Sequence, residues 1–224
     1  LAILASLVFH TPVRPSAVYR EGISALNPKD FAYAHELGYA VKLLAIAKRR
    51  GDALEARVHP ALTPLDSQLA NVDGVYNAIQ IEGDLVGTLV FFGRGAGGQP
   101  TSSTVVADVL TIARNIANGG LIRPRIELNR RIPVMPMLNV ETSYYFRLAV
   151  ADQPGVLAQI SRVLGDHRIS ISTVIQKELD PVNQTAIIVI MTHPASERSV
   201  QAAVAEFTHL PLVQEVSALI RVER

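Results

Sequence analysis

The sequence predicts an α+β chain: a mixed, largely antiparallel sheet covered by helices, followed by a smaller βαββαβ half. Three observations carry this. Apolar residues alternate in short runs joined by tight turns, which reads as locally paired strands. Between them lie helical stretches with apolar residues at three- and four-residue spacing. From Tyr144 onward the order strand, helix, strand, strand, helix, strand is complete, the split βαβ arrangement of ferredoxin-like domains.

The elements follow in order. Leu1 to Phe9 reads as a helix that ends near Thr11-Pro12, because a residue before proline is pushed out of the helical region. Asn27-Pro28-Lys29-Asp30 puts an N-cap before a proline at the first helical position and opens a helix that stops at Gly38. Tyr39 to Lys48 and Leu54 to Leu62 flank Arg49-Arg50-Gly51-Asp52 as an antiparallel hairpin, with Glu55-Ala56-Arg57-Val58-His59 alternating polar and apolar. Val75 to Ile81 and Leu85 to Phe92 make a second hairpin around Glu82-Gly83-Asp84. Ser103 to Ala117 aligns Val105, Val109, Ile112 and Ile116 on one helical face, expected to cover the sheet.

From Leu121 to Thr142 three prolines and the cluster Arg123, Arg125, Arg130, Arg131 replace periodicity, which suggests a linker. Tyr144 to Ala151 is then a strand, Val156 to His167 a helix, and Ile169 to Leu179 and Thr185 to His193 strands around Asp180-Pro181-Val182-Asn183. Ser196 to Phe207 is a helix and Val213 to Val222 the last strand. The expected division is 1–120, a linker over 121–143, and 144–224.

Composition excludes several classes of function. The 224 residues carry 21 Lys and Arg against 20 Asp and Glu, a formal net charge of +1, so no long-range field calls for nucleic acid or an anionic membrane. There is no cysteine, which removes disulfides, thiolate nucleophiles and Cys-based zinc sites, and makes a reducing, cytoplasmic setting the simplest expectation. The longest apolar runs fall well short of the roughly 18 residues needed to cross a bilayer. The six histidines share no i, i+3 or i, i+4 spacing, so no metal site is expected. The chain starts at Leu1 in what reads as the middle of a buried helix, which suggests a piece of a longer protein.

Two loops are candidates for chemistry. Gly93-Arg94-Gly95-Ala96-Gly97-Gly98 satisfies G-x-G-x-x-G, but a dinucleotide-binding unit needs a parallel strand after its helix, and here the strands look antiparallel and the next segment is rich in proline. The loop still offers free amides at a helix N-terminus, with hydroxyls of Thr101, Ser102, Ser103 and Thr104; the alternative is a tight turn where only glycine fits. Asp152-Gln153-Pro154-Gly155 is the second: its amides point over a helix N-terminus where a carboxylate could sit, against the plainer reading of Asp152 as an N-cap.

Over nearly its whole length the chain resembles bacterial homoserine dehydrogenase. The resemblance rests on Leu1 to Leu7, Glu21-Gly22-Ile23, Glu36-Leu37-Gly38-Tyr39, Lys42 to Ala47, Val58-His59-Pro60, Gly74 to Ala78, Phe92 to Gly97 and Pro100-Thr101-Ser102. These match that family's substrate and dimerisation domain. Residues 144 to 224, with Asp152-x-Pro154-Gly155, are similar to an ACT domain, a small amino-acid-sensing module.

The resemblance implies an oxidoreductase that interconverts L-aspartate 4-semialdehyde and L-homoserine with NAD or NADP in threonine and methionine biosynthesis, with allosteric regulation and a homodimer or higher homo-oligomer. It also implies that the nucleotide-binding domain and the catalytic lysine lie just upstream of Leu1. This chain alone is then expected to have no catalytic residue, to bind no cofactor by itself and to be inactive. Gly93 is expected to approach the cofactor. Asp152, Gly155, Val156, Leu157, Ser170 and Ile171 are expected to hold an amino-acid effector, with threonine the natural candidate, although Ser170 stands where many amino-acid-binding members have Asn. The competing reading is a non-enzymatic, dimeric amino-acid sensor.

Overall fold

The computed structural model describes residues 1–120, 127–180 and 185–223. Arg123, Pro124 and Arg125 of the expected linker, and Pro181-Val182-Asn183 of one expected turn, lie outside the described residues. The chain forms two compact units, one of Leu1–Leu65 with Leu128–Arg224, the other Asp66–Glu127.

The first unit is built on one mixed sheet. Its elements in chain order are α1 (Ala2–Phe9), β1 (Tyr19–Arg20), α2 (Pro28–Glu36), β2 (Tyr39–Arg50) and β3 (Ala53–Pro64), and after the second unit β6 (Glu141–Ala151), α4 (Val156–Asp166), β7 (Ile171–Asp180), β8 (Thr185–Thr192), β9 (Ala195–Ser196), α5 (Glu197–Phe207) and β10 (Val213–Val222). The strand order is β1-β3-β10-β6-β8-β7, with β2 paired to β3 and β9 to β6. The βαββαβ order holds, and its strands lie 4-1-3-2 across the sheet, all antiparallel. The sequence reading did not foresee that β10 continues into β3: they pair in parallel, Arg221 beside Ala61 and Val222 beside Leu62. That contact makes one sheet of what local pairing presents as two. The unit's compactness thus crosses the 121–143 segment, of which residues 130–135 bond to the two residues after α1 and to β3: Arg130 N donates to His10 O, Ile132 N to the Thr11 hydroxyl and Met135 N to Leu54 O.

Both faces of the βαββαβ sheet are buried. On one, α4 and α5 cover Phe146, Leu148, Val150, Ile188 and Ile190. On the other, Tyr33 and Ala34 of α2 pack with Tyr145, Val189, Met191 and Ile220. Helix α2 forms as its cap signal dictates. The Asn27 side chain accepts from Lys29 N, and the Asp30 carboxylate accepts from Asn27 N, a reciprocal cap on the first turn. Gly38 at φ +84° ends it.

The second unit contains the hairpin β4 (Tyr76–Gly83) and β5 (Gly87–Arg94) and helix α3 (Gly98–Ala117). Two expectations are corrected here. The hairpin turn is Asp84-Leu85-Val86 and not Glu82-Gly83-Asp84: Gly83 pairs with Gly87, whose φ of +67° supplies the left-handed residue that a three-residue loop needs. Helix α3 starts five residues earlier than expected, since Pro100 sits in a first turn whose amides lack helical partners anyway. No residue of α3 is buried; Val105, Val109, Ile112 and Ile116 stay more than half exposed, so this helix does not bury its apolar face on the sheet as expected. Helical spacing establishes that an apolar face exists and says nothing of what meets it.

Candidate effector site and a buried charge network

The loop after β6 builds a site. Pro154 and Gly155 turn the chain from β6 into α4, with Gly155 at φ +92°, a conformation that side chains resist. No side chain caps α4, so the reading of Asp152 as an N-cap fails; Val156 N donates to Gln153 O, and the Leu157 and Ala158 amides make no backbone hydrogen bond among the described residues. A cavity of about 210 Å³ opens there, lined by the 150–157 segment, by Gln176 of β7 and by Ile188 of β8. Of the expected effector residues it brings together Asp152, Gly155, Val156 and Leu157. Ser170 and Ile171 do not line it; they lie five residues or more before Gln176, about 17 Å along an extended strand. Gln176, which the sequence reading missed, takes the facing position within one chain.

At the other loop, Gly93 belongs to β5, where it pairs with Asn77, and a Cβ there would meet no atom within 4 Å. At Gly95 a Cβ would come within 2.0 Å of the Asn77 amide nitrogen, the movable end of an exposed side chain, whereas Gly97 at φ +127° holds a backbone conformation that side chains resist. The Ser102 and Thr104 hydroxyls bond back to Gly98 O and Pro100 O of their own helix, which removes them from the donors expected for a ligand. Accordingly, Gly97→Ala is expected to strain the loop and lower stability by about 1 kcal/mol or more, and Gly93→Ala to leave it within about 0.5 kcal/mol, as read by urea denaturation.

The largest feature that sequence reasoning missed is a buried network of charges in the first unit. Alternation in Glu55-Ala56-Arg57-Val58-His59 usually puts the polar face in water. Here Glu55, Arg57 and His59 are all at most 3% exposed. Arg57 pairs with Glu55 at 2.9 Å and Glu223 at 2.6 Å, and Lys48 also reaches Glu223. Arg221 pairs with Glu197 at 2.6 Å and Glu21 at 2.7 Å, while Tyr144 donates to Glu197. Arg147 pairs with Asp30, which also accepts from the Tyr145 hydroxyl. Each of these basic or acidic side chains therefore meets an opposite charge, which offsets the cost of taking it out of water.

His59 is the titrating member. Its Nδ1 lies 2.9 Å from Pro60 O and its Nε2 2.9 Å from Arg57, an arrangement that suits the neutral ring donating through Nδ1 and accepting from the guanidinium. Burial, with help from Arg221 and Arg57, pulls its pKa down to about 4. The unfolded chain binds this proton near pH 6.5 and the folded chain does not, so stability is full above 6.5 and falls as pH drops toward 4. Urea denaturation at pH 7 and pH 5 is expected to differ by about 2 kcal/mol from this group, and His59→Gln to remove most of that difference. Among the described residues no group of three or more His, Asp or Glu is arranged to hold a metal ion. No helix is long and apolar enough to cross a membrane.

Comparison with known proteins decides the family. Residues 1–110 match the homoserine dehydrogenase domain and residues 144–210 the ACT domain. The chain carries a homoserine dehydrogenase domain followed by an ACT domain. It is 41% identical over its full length to a homoserine dehydrogenase of Neisseria gonorrhoeae and 39% identical to that of Helicobacter pylori. It spans about half the length of these curated relatives, 52% in each case. A homoserine dehydrogenase crystal structure from Thiobacillus denitrificans superposes with a TM-score of 0.88 at 40% identity, covering 99% of this chain and 51% of that one. One from S. aureus gives 0.65 at 27% identity. These homoserine dehydrogenase relatives favour the enzyme reading over a non-enzymatic sensor.

Proposed function

We propose that this chain is the C-terminal part of a cytoplasmic homoserine dehydrogenase, which interconverts L-aspartate 4-semialdehyde and L-homoserine with NAD or NADP. It supplies scaffold for the substrate domain, subunit assembly and control by an amino-acid effector. The observation that carries this reading is the match of the whole chain to enzymes of that name. The nicotinamide cofactor would accept or return the hydride. This chain's contribution toward it is a backbone edge at Gly93, where no atom of the chain fills the place of a Cβ. The chain spans about half the length of the dehydrogenases it matches. Homoserine oxidation by this chain alone is therefore expected to stay at the level of a control without enzyme, and clear turnover would contradict the assignment of roles.

The effector reading draws its support from the cavity at 150–157. The α-carboxylate of an amino acid suits the uncapped amides at the start of α4, and the ammonium suits the Asp152 carboxylate. Ser170 and Ile171 enter only from a second copy. Apolar side chains left in water support assembly: Ile79, Phe91 and Phe92 of the hairpin are about half exposed or more, as is the apolar face of α3. Light scattering at micromolar concentration is expected to give a dimer or larger, and a clean monomer mass would defeat this part of the proposal.

A further inference from the structure

Strand β10 touches two distant places. Its start backs the cavity at 150–157: Val213 pairs with Val150, and Leu212 just before it accepts from Ala151 N. Its end lies against the 1–65 segment, where Arg221 and Val222 pair in parallel with Ala61 and Leu62 of β3 and Glu223 N donates to Leu62 O. Between these ends the register against β6 shifts twice, which leaves Gln214 and Ser217 as extra residues. Such bulges let a strand bend and twist without losing the rest of its ladder.

The far end of β10 is gripped by charges that differ in how readily they let go. Arg221 with Glu197 and Glu223 with Arg57 are pairs in which no side chain is more than 9% exposed, so opening either would strand a buried charge. Each inner residue also has a partner at the rim: Glu21, 37% exposed, lies 2.7 Å from Arg221, and Lys48, 36% exposed, lies 2.6 Å from Glu223. A rim pair can open with its outer member entering water and its inner member still paired, so its two states lie close in free energy. Both outer members belong to the 1–65 segment. We propose that β10 carries the state of the effector cavity into that segment, and that Glu21–Arg221 and Lys48–Glu223 are the contacts it makes and releases. A ligand in the cavity fixes the loop at Asp152, the Ala151–Leu212 bond passes this to β10, the bulges take up the movement and the seam with β3 receives it. Coupling needs an element with two arrangements that both sites bias, and the rim pairs supply one. This inference rests on the effector reading above and adds how the signal leaves the ACT half.

The test is the rate of homoserine oxidation by the complete enzyme, at homoserine well below its KM, followed to saturating L-threonine. The parent is expected to level off at about one fifth of its uninhibited rate or lower, the low end of ordinary coupling between sites. The double variant Glu21→Ala with Lys48→Ala is expected to level off above about half, because threonine still binds but its signal stops at the seam. Calorimetry without homoserine should place its threonine dissociation constant within about threefold of the parent's, and its rate without threonine should stay within about twofold, which separates lost coupling from lost binding or lost fold. Glu206→Ala breaks an exposed pair with His167 away from the seam and should level off like the parent. If the double variant folds poorly by circular dichroism, each single variant is expected to level off between the parent's value and the uninhibited rate. A parent inhibited by threonine whose level the rim variants leave unchanged overturns the role of β10 and leaves the effector reading standing. A parent that neither binds threonine nor is inhibited by it overturns the effector reading, and the route falls with it.

Discussion

Replacing Asp30 with Ala is expected to cost the first unit about 3 to 5 kcal/mol, the range for breaking a buried ion pair from one side. Asp30 is fully buried and serves three partners at once. It accepts from Arg147 Nε at 2.6 Å and Nη2 at 3.1 Å, from the Tyr145 hydroxyl and from Asn27 N at the start of α2. Its loss leaves a guanidinium that is itself 6% exposed without a counter-charge and uncaps the helix that seals this face of the sheet. Asp30→Asn keeps an acceptor for Asn27 and is expected to recover less than half of the loss. The double variant Asp30→Leu with Arg147→Met should be more stable than either single change, because it removes both charges together. Urea denaturation of the parent chain and the five variants checks this, and an Asp30→Ala cost below about 1 kcal/mol would mean that water reaches the pair.

The second large effect is at Arg221. Burial alone would raise the Glu197 carboxyl, but the hydrogen bonds and charge of Arg221 outweigh it and hold Glu197 below its usual range. Arg221→Met leaves that carboxylate 2% exposed with only Tyr144 and Gln201 as donors, at an expected cost of about 3 to 5 kcal/mol at pH 7. The sign with pH is specific. In the parent chain Glu197 contributes stability above its unfolded pKa, and this is lost as pH falls through its lower folded value. In the variant only the Tyr144 and Gln201 hydrogen bonds oppose burial, so the folded pKa is expected to rise above the unfolded one and protonation to relieve the strain. The difference between the two proteins should therefore shrink as pH falls from 7 toward 4.5. A constant difference would place the cost of Arg221→Met in packing instead.

What was legible in the sequence was local. Asn27, Pro28 and Asp30 encode the start of α2 within four residues, and Asp152-Gln153-Pro154-Gly155 encodes the turn into α4. The βαββαβ order was readable because each element carries its own periodicity. Where two glycines compete, as Gly83 and Gly87 do, the turn depends on which can take positive φ, and only the paired strands decide it. The joining of β3 to β10 involves residues more than 150 positions apart, with no local signal on either strand. The buried charges were hidden for the same reason. Glu55, Arg57 and His59 look like a solvated face until Arg221 and Glu223 arrive from the far end of the chain. Gln176 could have been noticed as the polar break in Ile171, Val174, Gln176, but its meaning needs the cavity beside it.

One measurement bears most directly on the proposed role: inhibition by L-threonine of homoserine-dependent NAD(P) reduction in the complete enzyme that contains this chain. Threonine is expected to lower the rate, and Asp152→Ala to raise the concentration needed at least tenfold while the uninhibited rate stays the same. Equal inhibition in parent and variant, or an enzyme that does not oxidise homoserine, would contradict it.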